Sequence, residues 1–270
     1  MDPGSPHEIR DAHTQPVGTG ATGGDEVTMV ALKQALELAE KKLQIVGSIT
    51  RHDILNQLTA IMGYNELLST MIQDEQQLHY LEVTRRASDK IRRILAYAKV
   101  YQNIGTEPPR WQKIDMLVRL ARDEVNPGQV AIRTDVGGSS VYVDPLFSKV
   151  FSYLIDNSIR HGNHTTEIRI SLRSGGEGTL LFIKDNGCGI GLEEKEKIFE
   201  RGYGKQTGWG LFIAREICAA NGMTIRENGA TGSGACFEIR IPAHQVRAGD
   251  AYIRTGIFGH CNEPLSPVLT

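Results

Sequence analysis

The chain has no long apolar run, no surplus of positive charge and few aromatic residues. Its longest apolar stretches, such as 179–183, are far shorter than the roughly 20 residues that cross a bilayer, so we expect no membrane segment. A formal net charge of −2 at pH 7 offers no basic surface for a nucleic acid. The N-terminus lacks the basic-then-apolar pattern of a secretion signal, so we expect a cytoplasmic protein.

The four cysteines form no pair at the spacing of a metal site or a redox motif. We therefore expect reduced thiols, as in other cytosolic proteins. A length of 270 residues with 40% hydrophobic content allows one large soluble domain or two small ones.

Hydrophobic periodicity divides the chain into four parts. Residues 1–27 show no periodicity and are expected to be a disordered arm. Residues 28–104 have apolar residues at three- and four-residue spacing, which predicts a helical hairpin. One hairpin cannot bury both of its narrow apolar faces, so we expect a homodimer with a four-helix bundle. Residues 105–245 alternate helices and strands, which predicts an α/β sandwich with a mixed sheet and helices on one face. The fold class is thus α+β, and 246–270 has no clear pattern.

A histidine stands on the polar side of the first helix of the hairpin. Ile54, Leu58, Ile61 and Leu68 form an apolar stripe, and His52 lies roughly 200° round the helix from Ile54. The carboxylate of Asp53 beside it could hold one ring nitrogen as N–H and leave the other as a basic nucleophile. This signal is weak alone, because most exposed helical histidines are simply solvated.

Two polar residues of the second domain stand in apolar surroundings. Asn157 lies inside an apolar helix, where its amide oxygen could hold a hydrated Mg²⁺ together with phosphates. The alternative is an asparagine bonded to the neighbouring backbone. Asp185 follows an apolar strand and could accept a hydrogen bond from an exocyclic amine such as that of adenine. The alternative there is an ordinary Asp-Asn-Gly turn.

A third segment, residues 202–211, carries several glycines, Lys205 and Thr207 directly before a predicted helix. Free N–H groups and the positive end of that helix could cradle phosphates. The segment is not a Walker loop, because the order Gly-Lys-Ser/Thr after four spacer residues is absent. Three segments in order, each suited to a different part of Mg·ATP, predict a nucleotide site.

Taken together with the His52 helix, these segments make residues 30–242 resemble a sensor histidine kinase of two-component signalling. The sequences of the motifs look most like those of archaeal members. The resemblance rests on six motifs. In the hairpin there is a phosphoacceptor box at 51–61. The second domain carries an asparagine box at 156–162, a first glycine box at 185–190, a phenylalanine box at 198–202, a second glycine box at 208–211 and a last glycine-rich turn at 232–237.

The resemblance implies an ATP-dependent protein-histidine kinase that needs Mg²⁺. His52 would take the γ-phosphoryl group and pass it to an aspartate of a response regulator, with Asp53 as general base. Asn56 would orient water for a phosphatase reaction on the regulator, and Asn157 would hold Mg²⁺. The residues expected to contact the nucleotide are Asn157, Arg160, His161, Asp185, Gly187, Gly189, Ile190, Tyr203, Gly204, Lys205, Thr207, Gly208, Gly210 and Leu211.

One departure from the family pattern affects the expected metal site. Most members have a second asparagine four residues before the Mg²⁺ asparagine, and here that position is Tyr153. We expect this change to weaken metal binding or slow autophosphorylation. Three alternatives stay open. A chaperone or mismatch-repair ATPase would need a glutamate at this position. A serine kinase of the anti-sigma type would lack the His52 hairpin. A non-catalytic signalling scaffold or phosphotransfer dimer would draw its support from Tyr153.

Overall fold

The described chain forms two compact units. The computed structural model describes residues 22–175, 178–204 and 207–249. The first unit is Met1–Thr50 and the second is Arg51–Thr270. Within the described residues, no helix combines the length and the apolar character that a membrane span requires.

Two long helices come first in the chain. Helix α1 spans Thr22–Met71 and begins inside the segment predicted as a disordered arm, whereas residues 1–21 lie outside the described residues. Helix α2 spans Glu75–Gln102. Asp74 caps α2, because its Oδ1 accepts a hydrogen bond of 2.9 Å from the backbone N–H of Gln77.

The α1–α2 pair buries little of its own apolar surface within the second unit. Leu58 and Ser88 are buried, and Asn65 is buried with its Nδ2 donating to the backbone oxygen of Leu81 (3.0 Å). The predicted apolar stripe is therefore split, because Leu58 is buried and the rest of the stripe is not. The exposed members are Ile54, Ile61 and Leu68.

Eight strands form two sheets in the described residues. The strands are β1 Arg110–Lys113, β2 Ala131–Asp135, β3 Ser140–Val143, β4 Glu167–Gly175, β5 Gly178–Asp185, β6 Thr224–Glu227, β7 Cys236–Ile241 and β8 Val246–Arg247. The larger sheet has the order β2-β4-β5-β7-β6, and the smaller has the order β1-β3-β8. Only the β2–β4 pair is parallel, so the larger sheet is mixed, as predicted.

Three helices pack with the larger sheet around one core: α3 Ile114–Val125, α4 Ser148–His161 and α5 Gly210–Ala220. Helix α4 presents a continuous apolar face because its buried residues recur at helical spacing: Val150, Phe151, Leu154 and Ile155. Strand β5 alternates buried and half-buried residues, with Leu181 and Ile183 in the core. The predicted α+β class, helices followed by a mixed-sheet sandwich, is confirmed.

The first residues of the predicted C-terminal tail belong to the fold. Strand β8 pairs antiparallel with β3, with Val141 opposite Val246 and Ser140 opposite Arg247. The guanidinium carbon of Arg247 lies 3.8 Å from the ring centroid of Trp111, which is a cation–π contact. No periodicity marks this strand in the sequence, because two residues are too few to show one.

The cysteines differ from one another. Cys188 is an exposed free thiol and Cys218 is a buried one. Cys236 is disulfide-bonded, so the expectation of reduced thiols is wrong for this residue. Cys261 lies outside the described residues.

A buried amide joins the end of α5 to the residue that follows β3, and we expect its removal to destabilise the domain. Asn221 accepts a hydrogen bond from the backbone N–H of Asp144 and donates one to the backbone oxygen of Ile217, both at 2.7 Å. Asn221→Ala leaves a buried N–H unpaired, which should lower the free energy of unfolding by about 1–3 kcal/mol. Urea denaturation measures this change.

The matched control is Asn228→Ala, which removes an exposed amide that donates to Glu238. We expect this variant to change the free energy of unfolding by less than about 0.5 kcal/mol. Equal losses in the two variants would contradict the structural role assigned to Asn221.

Candidate active site

The predicted phosphoacceptor histidine is exposed on α1. The side chain of His52 is 74% exposed, and its Nδ1 lies 3.3 Å from Oδ1 of Asp53 and 3.3 Å from Nδ2 of Asn56. A carboxylate only accepts, so the contact with Asp53 requires the proton on Nδ1, and the amide of Asn56 must then turn its oxygen to the ring. Both contacts fall on Nδ1, which leaves Nε2 as the basic, outward nitrogen.

A cavity of about 520 Å³ lies in the sandwich domain. Its walls come from helix α4, the turn after β5 and the loop that leads into α5. Twelve of the residues predicted to contact a nucleotide line it: Asn157, Arg160, His161, Asp185, Gly189, Ile190, Tyr203, Gly204, Thr207, Gly208, Gly210 and Leu211. Three segments that are far apart in sequence thus meet around one space of a size suited to a small ligand.

Two of the residues predicted to contact a nucleotide do not line the cavity. Lys205 lies outside the described residues. Gly187 packs behind the cavity, because a β-carbon there would lie only 2.7 Å from the Cα and oxygen of Gly162. The glycine at 187 is therefore required by the close approach of two backbone turns rather than by contact with a ligand.

The carboxylate of Asp185 is 2% exposed and is held by three hydrogen bonds. Ser158 Oγ donates to Oδ2 (2.6 Å), and the backbone N–H groups of Gly187 and Ala235 donate to Oδ1 (2.9 and 3.0 Å). A carboxylate can accept about four hydrogen bonds, so one position remains for a donor in the cavity. An amine on a ligand is such a donor.

The loop before α5 has a tight, glycine-dependent geometry. Gly208 has φ = +63°, and a β-carbon there would clash with the carbonyl carbon of Gly202. Helix α5 starts at Gly210, so its first N–H groups face the cavity without an intrahelical partner. The positive end of a helix stabilises anions, and phosphates are the anions that most often use it.

Asn157 is half-buried on α4 and lines the cavity. In the described part of the chain its amide makes no hydrogen bond, unlike the neighbouring Asp156, which pairs with Arg160 (2.5 Å). The described residues contain no group of three His, Cys, Asp or Glu side chains that could hold a metal ion by itself. An amide oxygen at the edge of a cavity fits Mg²⁺, which takes few protein ligands and completes its shell with phosphates and water.

Tyr153 stands where a second amide was expected and packs against an aromatic residue of the hairpin. Its ring centroid lies 5.3 Å from that of Tyr97 on α2, and both side chains line the cavity. Burial raises the pKa of Tyr153 far above its ordinary value, with the nearby Tyr97 and Glu124 adding to the effect. Tyr153 is therefore a neutral residue that packs against the hairpin at this position.

Sequence reasoning missed two members of the site. Ser158 holds Asp185 although the two are 27 positions apart. Tyr97 comes from α2, lines the cavity and packs its ring on Tyr153. No local pattern marks either residue, because their roles depend on long-range packing.

Comparison with known proteins identifies the sandwich domain. Residues 143–245 match the family described as histidine kinase-, DNA gyrase B- and HSP90-like ATPase. The chain is 24% identical over 238 residues to the sensor protein KdpD of Escherichia coli, covering 81% of this chain and 27% of KdpD. It is 23% identical over 254 residues to the sensor protein kinase WalK of Staphylococcus aureus, covering 86% of this chain and 61% of WalK. The chain thus spans less than two thirds of these relatives.

Solved structures show the same fold. Full-length ShkA in complex with AMPPNP superposes with a TM-score of 0.55 and 18% identity over 76% of this chain and 46% of ShkA. The Acinetobacter baumannii histidine kinase AdeS superposes with a TM-score of 0.50 and 20% identity over 71% of this chain and 98% of AdeS. These likenesses show the fold, and the sequence matches confirm the family expected from the motifs. The chain is a homologue of the sensor histidine kinases, and its residues 143–245 form an ATPase domain of the family that those kinases share with DNA gyrase B and HSP90.

Proposed function

We propose that the chain is an ATP-dependent protein-histidine kinase that phosphorylates its own His52 and passes the phosphoryl group to an aspartate of a response regulator. The observation that carries the proposal is the cavity itself. It brings together the buried carboxylate of Asp185, the amide of Asn157, which makes no hydrogen bond to a residue that the structure describes, and the start of α5. These groups suit adenine, Mg²⁺ and phosphates respectively.

The predicted acceptor has the chemistry that the transfer requires. Nε2 of His52 attacks the γ-phosphorus, the bond from that phosphorus to the bridging oxygen breaks, and ADP leaves with the electron pair. Asp53 holds Nδ1–H and takes up its proton as the ring becomes positive. Phosphoryl transfer needs mainly positioning and charge neutralisation, so a small set of residues is sufficient.

Asn157 would hold Mg²⁺ through its amide oxygen, with the phosphates of the nucleotide as further ligands. The ion, when bound, neutralises charge on the phosphates. Tyr153 offers no metal ligand, which supports the expectation of weaker metal binding than in members with two asparagines.

The first unit supports a homodimer. Its helix carries apolar residues at alternating three- and four-residue spacing, which is the pattern of a coiled-coil seam. All of them are exposed: Met29, Leu32, Leu36, Ala39, Leu43 and Val46. A single helix with such a seam is stable only when a partner covers it, and a second copy supplies the same seam.

A phosphatase reaction on the phosphorylated regulator is a further part of this proposal. Asn56 lies one helical turn after His52 and its amide contacts the His52 ring. An exposed amide at this position can orient a water molecule toward a phosphoaspartate that docks beside the histidine. Asp53 would hold the ring in place during that reaction.

One observation favours a second candidate, a signalling scaffold without kinase activity. Tyr153 replaces an amide of the expected metal site and is used for packing against Tyr97. A scaffold of this kind would bind no Mg·ATP, so a binding measurement separates it from the kinase.

Incubation with γ-labelled ATP and Mg²⁺ tests the kinase proposal. We expect acid-labile, alkali-stable label on the wild type and none on His52→Gln, because glutamine offers no nucleophilic nitrogen. His79→Gln is the matched control, since His79 is an exposed histidine on the other helix of the hairpin. Label that persists on His52→Gln, or a wild type that binds ATP without ever being labelled, would count against the proposal.

The role of Asp185 is tested by calorimetry with Mg·ADP. Asp185→Asn replaces one acceptor oxygen by a donor and should weaken binding by at least about tenfold, since hydrogen bonds to charged groups are strong. Ser158→Ala removes only one supporting bond and should weaken binding by about fivefold. Asp123→Asn, an exposed change on α3, should bind as the wild type does. Undiminished affinity in Asp185→Asn, in a protein that remains folded by circular dichroism, would exclude its assigned role.

Charges in the seam should separate the dimer. We expect Leu36→Glu with Leu43→Glu to yield monomers in sedimentation equilibrium, because like charges would face each other in the seam. Leu38→Glu with Ile45→Glu is the control, since these exposed residues lie on the same helix but outside the seam. A double variant that remains dimeric would show that the first unit does not hold the copies together.

A further inference from the structure

A second buried carboxylate stands at the end of β6 and is not used by the proposed function. Glu227 is 4% exposed, and its Oε1 accepts hydrogen bonds from the backbone N–H groups of Gly229 (2.8 Å) and Cys236 (2.9 Å). Both donors belong to the connection between β6 and β7. One carboxylate oxygen therefore holds the two ends of that connection together.

Lys195 supplies the opposite charge. Its largely buried Nζ lies 2.7 Å from Oε2 of Glu227 and donates a hydrogen bond to the backbone oxygen of Gly229. No described residue gives Oε2 a well-aligned hydrogen bond, so the ammonium group of Lys195 is what balances the buried charge. A buried carboxylate that loses its partner is strongly destabilising. The ion pair therefore ties the segment around Lys195 to the β6–β7 connection.

The segment that carries Lys195 forms part of the cavity wall. Lys195 stands between two single-turn helices, Leu192–Glu194 and Lys197–Phe199. The side chains of Glu194 and Ile198, on either side of it, line the cavity, whereas Lys195 itself does not. The ion pair thus holds this wall without facing the cavity.

The other partner of the ion pair leads to Asp185. Ala235 lines the cavity, and its backbone N–H donates to Oδ1 of Asp185 (3.0 Å). Glu227 holds the next N–H along the chain, that of Cys236, and so fixes where the donor at position 235 stands. One ion pair therefore links a wall of the cavity to a hydrogen bond of the carboxylate that suits adenine.

We propose that Lys195 and Glu227 are positioning residues for the adenine end of the cavity. This inference rests on the proposed function, because it requires Asp185 to bind the base. A binding group acts only when its supports hold it within about 0.5 Å of the productive position. The phosphate end is built from a different segment, the start of α5. Loss of the ion pair should therefore weaken the binding of adenosine and of Mg·ADP by the same factor.

Calorimetry on the full chain with adenosine and with Mg·ADP tests the inference. Lys195→Met keeps an unbranched side chain but removes its charge, and it should bind both ligands about fivefold more weakly, the equivalent of one hydrogen bond. Lys195→Arg keeps the charge and should restore most of the affinity. Lys197→Met, the same change at an exposed position two residues later, should alter neither affinity.

A double variant separates positioning from stability. Lys195→Met with Glu227→Gln leaves no uncompensated buried charge, so it should remain folded even where the single variant does not. Glutamine keeps an acceptor oxygen for the N–H groups of Gly229 and Cys236. The wall around position 195 is still untied, so the double variant should melt near the wild type and yet bind adenosine about threefold more weakly.

The outcomes distinguish this inference from the proposed function. Wild-type affinity for adenosine in a folded Lys195→Met, or affinity that returns together with stability in the double variant, would overturn the positioning role and leave the nucleotide site intact. A loss confined to Mg·ADP would place the effect at the phosphates and overturn it too. A wild type that binds neither ligand would overturn the proposed function and this inference together.

Discussion

The buried carboxylate of Asp185 is the constraint on which the rest of the site depends. A charge that is 2% exposed is costly unless hydrogen bonds replace its water, and here three donors do so. They come from Ser158 on α4, from the turn after β5 and from the residue before β7. The carboxylate accepts all three hydrogen bonds only when these elements have packed around it. The floor of the cavity is thus formed by folding itself and does not wait for a ligand.

Much of this arrangement could be predicted from the sequence, because the informative signals are local. Helical spacing marked the hairpin, and Asn157 and Asp185 were visible as polar residues in apolar surroundings. The partners of these residues were not visible. Ser158 reaches Asp185 across 27 positions, and Tyr97 meets Tyr153 across an interface between domains. Such pairings depend on how whole elements pack, which no short window of sequence records.

The same reasoning explains the unexpected residue at position 153. As a sequence feature, Tyr153 is only the loss of an amide from a metal site. In the fold it is a half-buried ring that packs on Tyr97, and the glycine at 210 leaves room beside both rings. Position 153 therefore provides a contact between α4 and α2 at the place where an amide was expected.

The short strand β8 has a consequence for how the sandwich domain is attached to its surroundings. It lies in the same small sheet as β1, with only β3 between them, and Arg247 rests on Trp111. Strands β1 and β8 are both antiparallel to β3, with Arg110 opposite Val143 and Arg247 opposite Ser140. Two strand spacings of roughly 4.8 Å across and three residues of roughly 3.3 Å along the strands put the entry and the exit of the chain about 14 Å apart. A module whose two ends lie this close together can be moved, exchanged or inserted between other segments without disrupting its core. The sandwich domain is thus a self-contained unit whose first and last strands lie in the same small sheet.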